Sequence, residues 1–517
     1  MRTPLAALDG RHFDVAVIGA GINGASAAQH LAGAGYSVLL VDKGDFCSGS
    51  SSRSSRLLHC GLRYLAPGGS MWNFVLHPSR LRVALSMARQ AMLSRRQFVQ
   101  TTPERTRPLN FHFPLWQDGE YKPWQVDIAL RILARLAPGD VPLDVRRLSR
   151  EQARRTPLVN GLRDMDKLAG VAAFREYQFD WPERICMDEV LDAERLGAFV
   201  RNYTPAKRLV REGNGWRIVL GDAADPSAEA KVLASVVLNM AGIWIDRVNR
   251  AAGETAKRKI TGTKGAHIVV QLPPECAGNG VATINRLHEP FYCVPWRGMH
   301  YFGPTETLYE GDLDDVHTTE EEIAYLLDEA NHLMPGLGLQ RKDVIYTWAG
   351  VRPLTYDPSL PKGARSREIH DLSAEGLPNV FAMTAGPIMT HRSAGPAMVK
   401  AVKTKLQPRG PEQPVSYAAR LFPENQNAPP LLRDDTAVKL SDLRYAAEHE
   451  HATNLVDILF RRVGVGWSKT MGAEAARIAA ETVAEVFGWD DARVEAEVVA
   501  YRNHLARQHT PRGSQAS

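Results

Sequence analysis

Cysteine is scarce: Cys47, Cys60, Cys186, Cys276 and Cys293 are scattered through 517 residues, odd in number and without a Cys-x-x-Cys pair. That excludes a disulfide framework and a cysteine zinc site, and suits a reducing compartment. Long hydrophobic runs are missing too. Nowhere do about eighteen apolar residues follow one another, so no transmembrane helix is expected. Residues 1–10 lack the apolar stretch of a signal peptide, which points to a cytoplasmic location. Charge of one sign is also in short supply. A formal net charge of +5 argues against a nucleic-acid binder, yet it leaves room for an anionic ligand. His288, His300 and His317 have no metal-ligand spacing, so no metal site is expected. What is present is ordinary globular composition, 44% hydrophobic and 23% charged, at a length that calls for two or three domains.

The most informative segment comes first. Phe13-Asp-Val-Ala-Val-Ile18 has the pattern of a short buried parallel strand, and Gly19-Ala-Gly-Ile-Asn-Gly24 follows it. An alanine-rich helical stretch and a second strand, Ser37-Val-Leu-Leu-Val41, then lead to Asp42. Gly19 permits the tight turn, Gly21 lets the backbone approach a pyrophosphate, and Gly24 lets helix pack against strand. Asn23 sits in the same turn, where the helix N-terminus offers unpaired N–H groups to phosphates. Asp42 stands where a carboxylate accepts hydrogen bonds from ribose hydroxyls, and it would repel a 2′-phosphate. Together these features predict a dinucleotide site.

The next stretch narrows the choice of dinucleotide. The loop carrying Ser51, Ser52, Ser54 and Ser55 runs into His59-Cys60-Gly61-Leu62-Arg63-Tyr64-Leu65. This segment resembles FAD-dependent glycerol-3-phosphate dehydrogenases and oxidases, in which a serine-rich loop leads to His-Gly-Gly-(Leu/Ile)-Arg-Tyr-Leu; Cys60 replaces a glycine. Further matches lie at Val237-Leu-Asn-Met-Ala-Gly-Ile-Trp244, Lys264-Gly-Ala-His-Ile-Val-Val270 and Trp348-Ala-Gly-Val-Arg-Pro-Leu354. Leu443-Arg-Tyr-Ala-Ala-Glu-His-Glu450 and Phe460-Arg-Arg-Val-Gly-Val-Gly-Trp467 resemble the family's helical cap. The similarity spans most of the chain, in order.

The resemblance implies an α/β fold with a discontinuous Rossmann-like FAD-binding domain, a mixed-sheet substrate domain and a C-terminal helical cap. The expected boundaries are 1–80, 160–260 and 341–405 for the FAD part, and 81–159 and 261–340 for the substrate part. A proline-rich linker and the helical domain fill 406–517. The resemblance also implies oxidation of a secondary alcohol of a small anionic substrate by hydride transfer to flavin N5. His59 is the candidate base, since imidazole titrates near neutrality, with His391 as its understudy. Arg352 offers a planar fork for phosphate or carboxylate. Arg63, Tyr64, Arg367, His391 and Arg392 are further substrate-binding candidates, and Ala241, Gly242 and Gly386 join the cofactor set.

The chain departs from the family pattern where substrate binds. Gly-Gly-Lys-Leu-Thr-Thr-Tyr-Arg becomes Ala385-Gly-Pro-Ile-Met-Thr-His-Arg392, so Pro387 replaces a phosphate-binding lysine; Gly303-Pro-Thr-Glu306 replaces Gly-Thr-Thr-Asp. Three alternatives therefore stand: a polyol-phosphate dehydrogenase or oxidase, a related oxidase of an amine, amino acid or hydroxy acid, and a flavin-binding scaffold. The electron acceptor, quinone or oxygen, stays open, as does a homodimer. Trp72 to Phe98 and Trp124 to Leu136 carry Arg80, Arg82, Arg89, Arg95, Arg96, Arg131 and Arg135 among apolar residues. They are either basic helices lying on a membrane face or core-packing helices with solvated arginines.

Overall fold

The computed structural model describes residues 2–65, 78–136, 139–253, 255–432 and 436–509. The side chains of Arg63 and Arg80, and residues 66–77 with Trp72, lie outside the described set.

Two sheets carry the architecture. The first is built on parallel strands His12–Ile18, Val38–Val41, Phe199–Arg201, Glu229–Asn239 and Val380–Thr384. The strands at its centre are buried on both faces, which is why they are runs of Val, Leu and Ile rather than alternating patterns. Val15 pairs with both Val38 and Val236, so the strands of that centre end level. The expected strand–glycine turn–helix unit is therefore present, with helix Ile22–Gly33 crossing between the first two strands.

The second sheet is mixed and ten-stranded. One of its two long pairings joins Ile260–Val270 to Val344–Thr355, antiparallel from Ile260↔Thr355 to Val270↔Val344. Leu168–Phe179 and Val344–Thr355, assigned by resemblance to the FAD part, are strands of this second sheet. The reason is antiparallel pairing: each has a long partner there, Thr106–Trp116 and Ile260–Val270, and none in the parallel sheet.

The helix Pro123–Leu136 buries Val126, Ala129, Leu130 and Leu133 and leaves Arg131 and Arg135 exposed, as a core-packing helix does. Arg95 is a correction to the solvated reading. It is buried, and its guanidinium donates to the carbonyls of Val141, Pro142 and Arg175. Among the described residues, no helix is long and apolar enough to cross a membrane.

The C-terminal helices Leu440–His449, Ala476–Phe487 and Asp491–His509 share a core with the second sheet, and the turn Asp457–Arg462 between them is tied to the first sheet by a buried ionic hub. Asp45, just past the second strand, accepts from Arg462 at 2.8 Å on both oxygens and from Arg461 at 2.5 Å. Burial alone would raise the Asp45 carboxyl, but the two guanidinium groups hold it well below the usual carboxylate range. Removing one partner of such a cluster strands the others' charge in a dry site. Asp45→Ala should therefore lower stability by about 3–5 kcal/mol, seen as a shifted denaturant midpoint. A midpoint within error of the wild type would show that the hub is solvated.

Candidate active site

Parallel strands leave their carboxyl ends on one side, and a crevice there is where an open α/β sheet binds ligand. Gly19, Asp42, Ala241 and Ala385 each follow closely on one of these strand ends. The three fingerprint glycines have separate reasons. Gly19 has φ +103°, and a Cβ there would lie 2.6 Å from the Met240 carbonyl. A Cβ on Gly24 would lie 1.9 Å from the Gly19 carbonyl. On Gly21 it would meet only Ser51 Oγ, at 3.3 Å, a tight contact with one side chain and no backbone. Gly242 opens on space, with nothing near its Cβ position.

A cavity of about 250 Å³ begins at this turn. Ile22, Asn23, Ser51, Ser54 and Ser55 line it together with His59, Arg352, Gly386 and Pro387. Asn23 Oδ1 is buried without a hydrogen-bond partner there, as an atom waiting on a ligand would be. The Ile22 N–H donates to Ser51 Oγ at 3.0 Å, which ties the serine loop to the helix start. Ser52 turns away from the cavity and donates to the Gly49 carbonyl. The Gly21 backbone, the helix N-terminus, the unpartnered Asn23 oxygen and the acid at 42 together fit a dinucleotide with a second aromatic end.

Asp42 accepts the N–H groups of Ala20 and Gly44, at 2.7 and 2.9 Å. Burial pushes its carboxyl up to about 6, against the pull of those two N–H donors. Hydrogen bonds from ribose hydroxyls favour the ionised form, so cofactor binding releases a proton where the free site is protonated. Affinity for FAD should therefore fall as pH drops through about 6, and Asp42→Asn should flatten that profile. An unchanged profile in the variant would place the titrating group elsewhere.

Arg352, on the strand Val344–Thr355, pairs with Thr263 and lays its guanidinium across Gly265, two residues further along the partner strand. A Cβ on Gly265 would lie 2.5 Å from Arg352 Nη2, so only glycine leaves the guanidinium its place. His267, two residues on, lines the same cavity, stacks on Trp348 at 4.7 Å and lies 2.9 Å from Ser55 Oγ. Burial, then the Arg352 and Arg56 cations, hold His267 well below its ordinary value, so its imidazole is neutral. His59 stands between the strand Leu57–Leu58 and the helix Leu62–Leu65, its ring 5.7 Å from that of Tyr64. Tyr64 supports His59 and does not itself line the cavity.

Besides Tyr64, three predicted substrate ligands are not brought into this cavity. His391 is fully buried, with Nδ1 at 2.7 Å from the Ile388 carbonyl and Nε2 at 2.7 Å from Glu189. Arg392 donates to the hydroxyls of Thr101 and Thr102 and stacks over Phe98. Arg367 lies behind Gly386 and donates to Thr390 and Ser393. In their place the cavity holds Arg53, Arg365 and Glu306. Arg365 is ion-paired with Glu306, while Arg53, drawn down to about 10 by burial and by Arg461, donates to the Val316 carbonyl. His267 lies in Lys264-Gly-Ala-His-Ile-Val-Val270 and carries a visible signal, a histidine two residues from a strand glycine. Arg53 lies within the serine loop, with no such signal.

The model of the family described as FAD dependent oxidoreductase matches residues 14–392. The chain belongs to that family. Its cofactor is FAD, and when bound it supplies a two-electron acceptor. Residues 418–494 match the C-terminal domain of alpha-glycerophosphate oxidase, the stretch that contains the Arg461–Arg462 hub. A glycerol-3-phosphate dehydrogenase of Synechocystis sp. is 28% identical, covering 96% of this chain and 97% of that one. Glycerol-3-phosphate dehydrogenase 2 of Mycobacterium bovis is also 28% identical, covering 98% of this chain and 89% of its own. Among solved structures, the glycerol-3-phosphate dehydrogenase from Bacillus halodurans complexed with FAD superposes with a TM-score of 0.73. It covers 98% of this chain and 96% of its own at 20% identity, which establishes the shared fold.

Proposed function

We propose that this flavoenzyme oxidises a secondary alcohol of a small anionic substrate, glycerol 3-phosphate or a related polyol phosphate, and passes the electrons to a quinone or to oxygen. The observation that carries this reading is the Arg352 guanidinium, held over Gly265 in the cavity that His59 also lines. A planar fork there grips the anion. His59 takes the hydroxyl proton while hydride leaves the same carbon. His267, neutral and tied to Ser55, orients the substrate without adding charge. The names of the relatives support the substrate class.

The test uses two variants. Arg352→Ala should keep bound FAD and lose about ten- to hundredfold in substrate affinity, measured by anaerobic flavin bleaching. Gly265→Ala should have a similar effect with the arginine still present, because the new methyl displaces the guanidinium. If both bleach as the wild type does, the anion is bound elsewhere.

Pro387 bears on which anion. It lines the cavity with neither charge nor N–H, and the cation nearest in sequence that shares the cavity, Arg365, is already compensated by Glu306. Glycerol 3-phosphate should bind about ten- to hundredfold more weakly than where a lysine stands. The same steady-state comparison against larger polyol phosphates, amines and amino acids tests the alternative oxidase reading. Micromolar KM on glycerol 3-phosphate would show that the substrate has not shifted.

A further inference from the structure

His59 opens on two spaces. Besides the cofactor cavity, it lines a second pocket of about 100 Å³, and Leu57, Pro290 and Tyr292 are common to both. The second pocket is walled by rings: Phe111, Phe113, Tyr121 and Phe174, in addition to Tyr292. Those rings brace one another, Phe111 on Tyr292 at 6.1 Å and Phe113 on Tyr121 at 5.7 Å.

One acid lies among them. Glu176, on the strand Leu168–Phe179, is 2% exposed and lines the pocket. Its Oε1 accepts the Cys60 N–H at 2.6 Å, whereas Oε2 is buried with no hydrogen-bond partner. Arg95, the cation that most affects it, gives the hydrogen bonds described above to backbone carbonyls. Burial raises the Glu176 carboxyl to about 7, against Arg95, the Cys60 thiol and the N–H groups of Cys60 and Tyr177, and a cationic ligand would add to the pull toward the ionised form. A buried carboxyl oxygen lacking a donor, inside a wall of aromatic rings, has the chemistry that selects an ammonium group: the rings attract the cation and the carboxylate accepts its hydrogen bond.

We propose that this pocket is a second substrate subsite, which receives a short apolar arm ending in a protonated amine. This rests on the alcohol-oxidation reading above and specifies its substrate. A secondary alcohol carries two arms on one carbon, and His59 stands where the two spaces meet. One arm takes its anion to Arg352, and the other takes its ammonium to Glu176. The neutral Pro387 and the compensated Arg365 are consistent with a substrate of low net charge.

The test is a panel of secondary-alcohol phosphates offered anaerobically to the FAD-loaded protein. The second arm is a methyl group, a propyl group or an aminopropyl group, and kcat/KM is read from flavin bleaching. Aminopropyl should exceed propyl by about tenfold or more. Glu176→Gln retains an oxygen for the Cys60 N–H and should collapse that ratio toward one. Phe113→Leu, at a half-buried wall position, should lower it independently should the Glu176 variant fold poorly. A ratio within about twofold in the wild type, or one unchanged in both variants, overturns the subsite alone. No bleaching by any member overturns the alcohol-oxidation reading, and the subsite with it.

Discussion

Gly21→Val should fold and remain colourless. In the structure a Cβ at this position meets only Ser51 Oγ, so the valine occupies the space through which the backbone approaches the pyrophosphate and asks the protein for a small shift of one side chain. Filling it should weaken FAD binding by about a hundredfold or more, a loss on the order of 3 kcal/mol. The neighbouring position provides the control. Gly24→Val drives a side chain into the Gly19 carbonyl, with its Cβ at 1.9 Å, and separates helix from strand. That variant should lose the fold itself. Thermal melts with flavin absorbance distinguish the two: one variant keeps its transition and lacks the 450 nm band, the other lacks both. A yellow Gly21→Val protein would mean that the pyrophosphate does not lie against this turn.

How much was legible in the sequence depended on how local its cause is. The helix start, Gly21, Gly24 and Asp42 make their telling contacts inside the same segment, where periodicity and steric fit act directly, while Gly19 is closed in by a remote group, the Met240 carbonyl. Arg352 was legible as a motif. Its positioning was not, because the glycine that admits it, Gly265, lies on a different strand and is joined to it only by sheet register. Arg367 and Arg365 show the same limit. The resemblance pointed to the first, but a bridge between Thr355 and Ala364 brings the chain back beside its own strand, and Arg365 is the residue that enters the cavity. His391 and Arg392 have the composition of ligands. Their partners, Glu189, Thr101 and Thr102, come from remote segments, and those partners turn them into supports for the segment that follows Gly386. Arg95 was misjudged for a similar reason: an arginine on an amphipathic helix reads as solvated until the carbonyls that bury it are known.

His59→Ala should slow substrate-driven flavin reduction by about 10²–10⁴-fold while leaving FAD bound. The argument for this residue is partly one of elimination among histidines. His391 lies outside the cavity with both ring nitrogens engaged, so it can receive no substrate proton. His267 does line the cavity, but burial and two nearby guanidinium groups hold its pKa well below the ordinary value. A base so depressed gains little by accepting a proton near neutral pH, because the imidazolium it forms faces Arg352 and Arg56. His59 also lies in the cavity, and its ring is braced by Tyr64. The two histidines should therefore respond differently. His59→Ala should lower kcat and kcat/KM together, as the loss of a transition-state contact does, and the alkaline form of a buffer base such as imidazole should restore part of the rate. His267→Ala should act chiefly on KM, since a neutral imidazole contributes a hydrogen bond and a surface, worth about tenfold. Near-normal reduction in His59→Ala, with the large loss in His267→Ala, would reverse the two roles and require substrate binding to relieve the charge that now keeps His267 neutral.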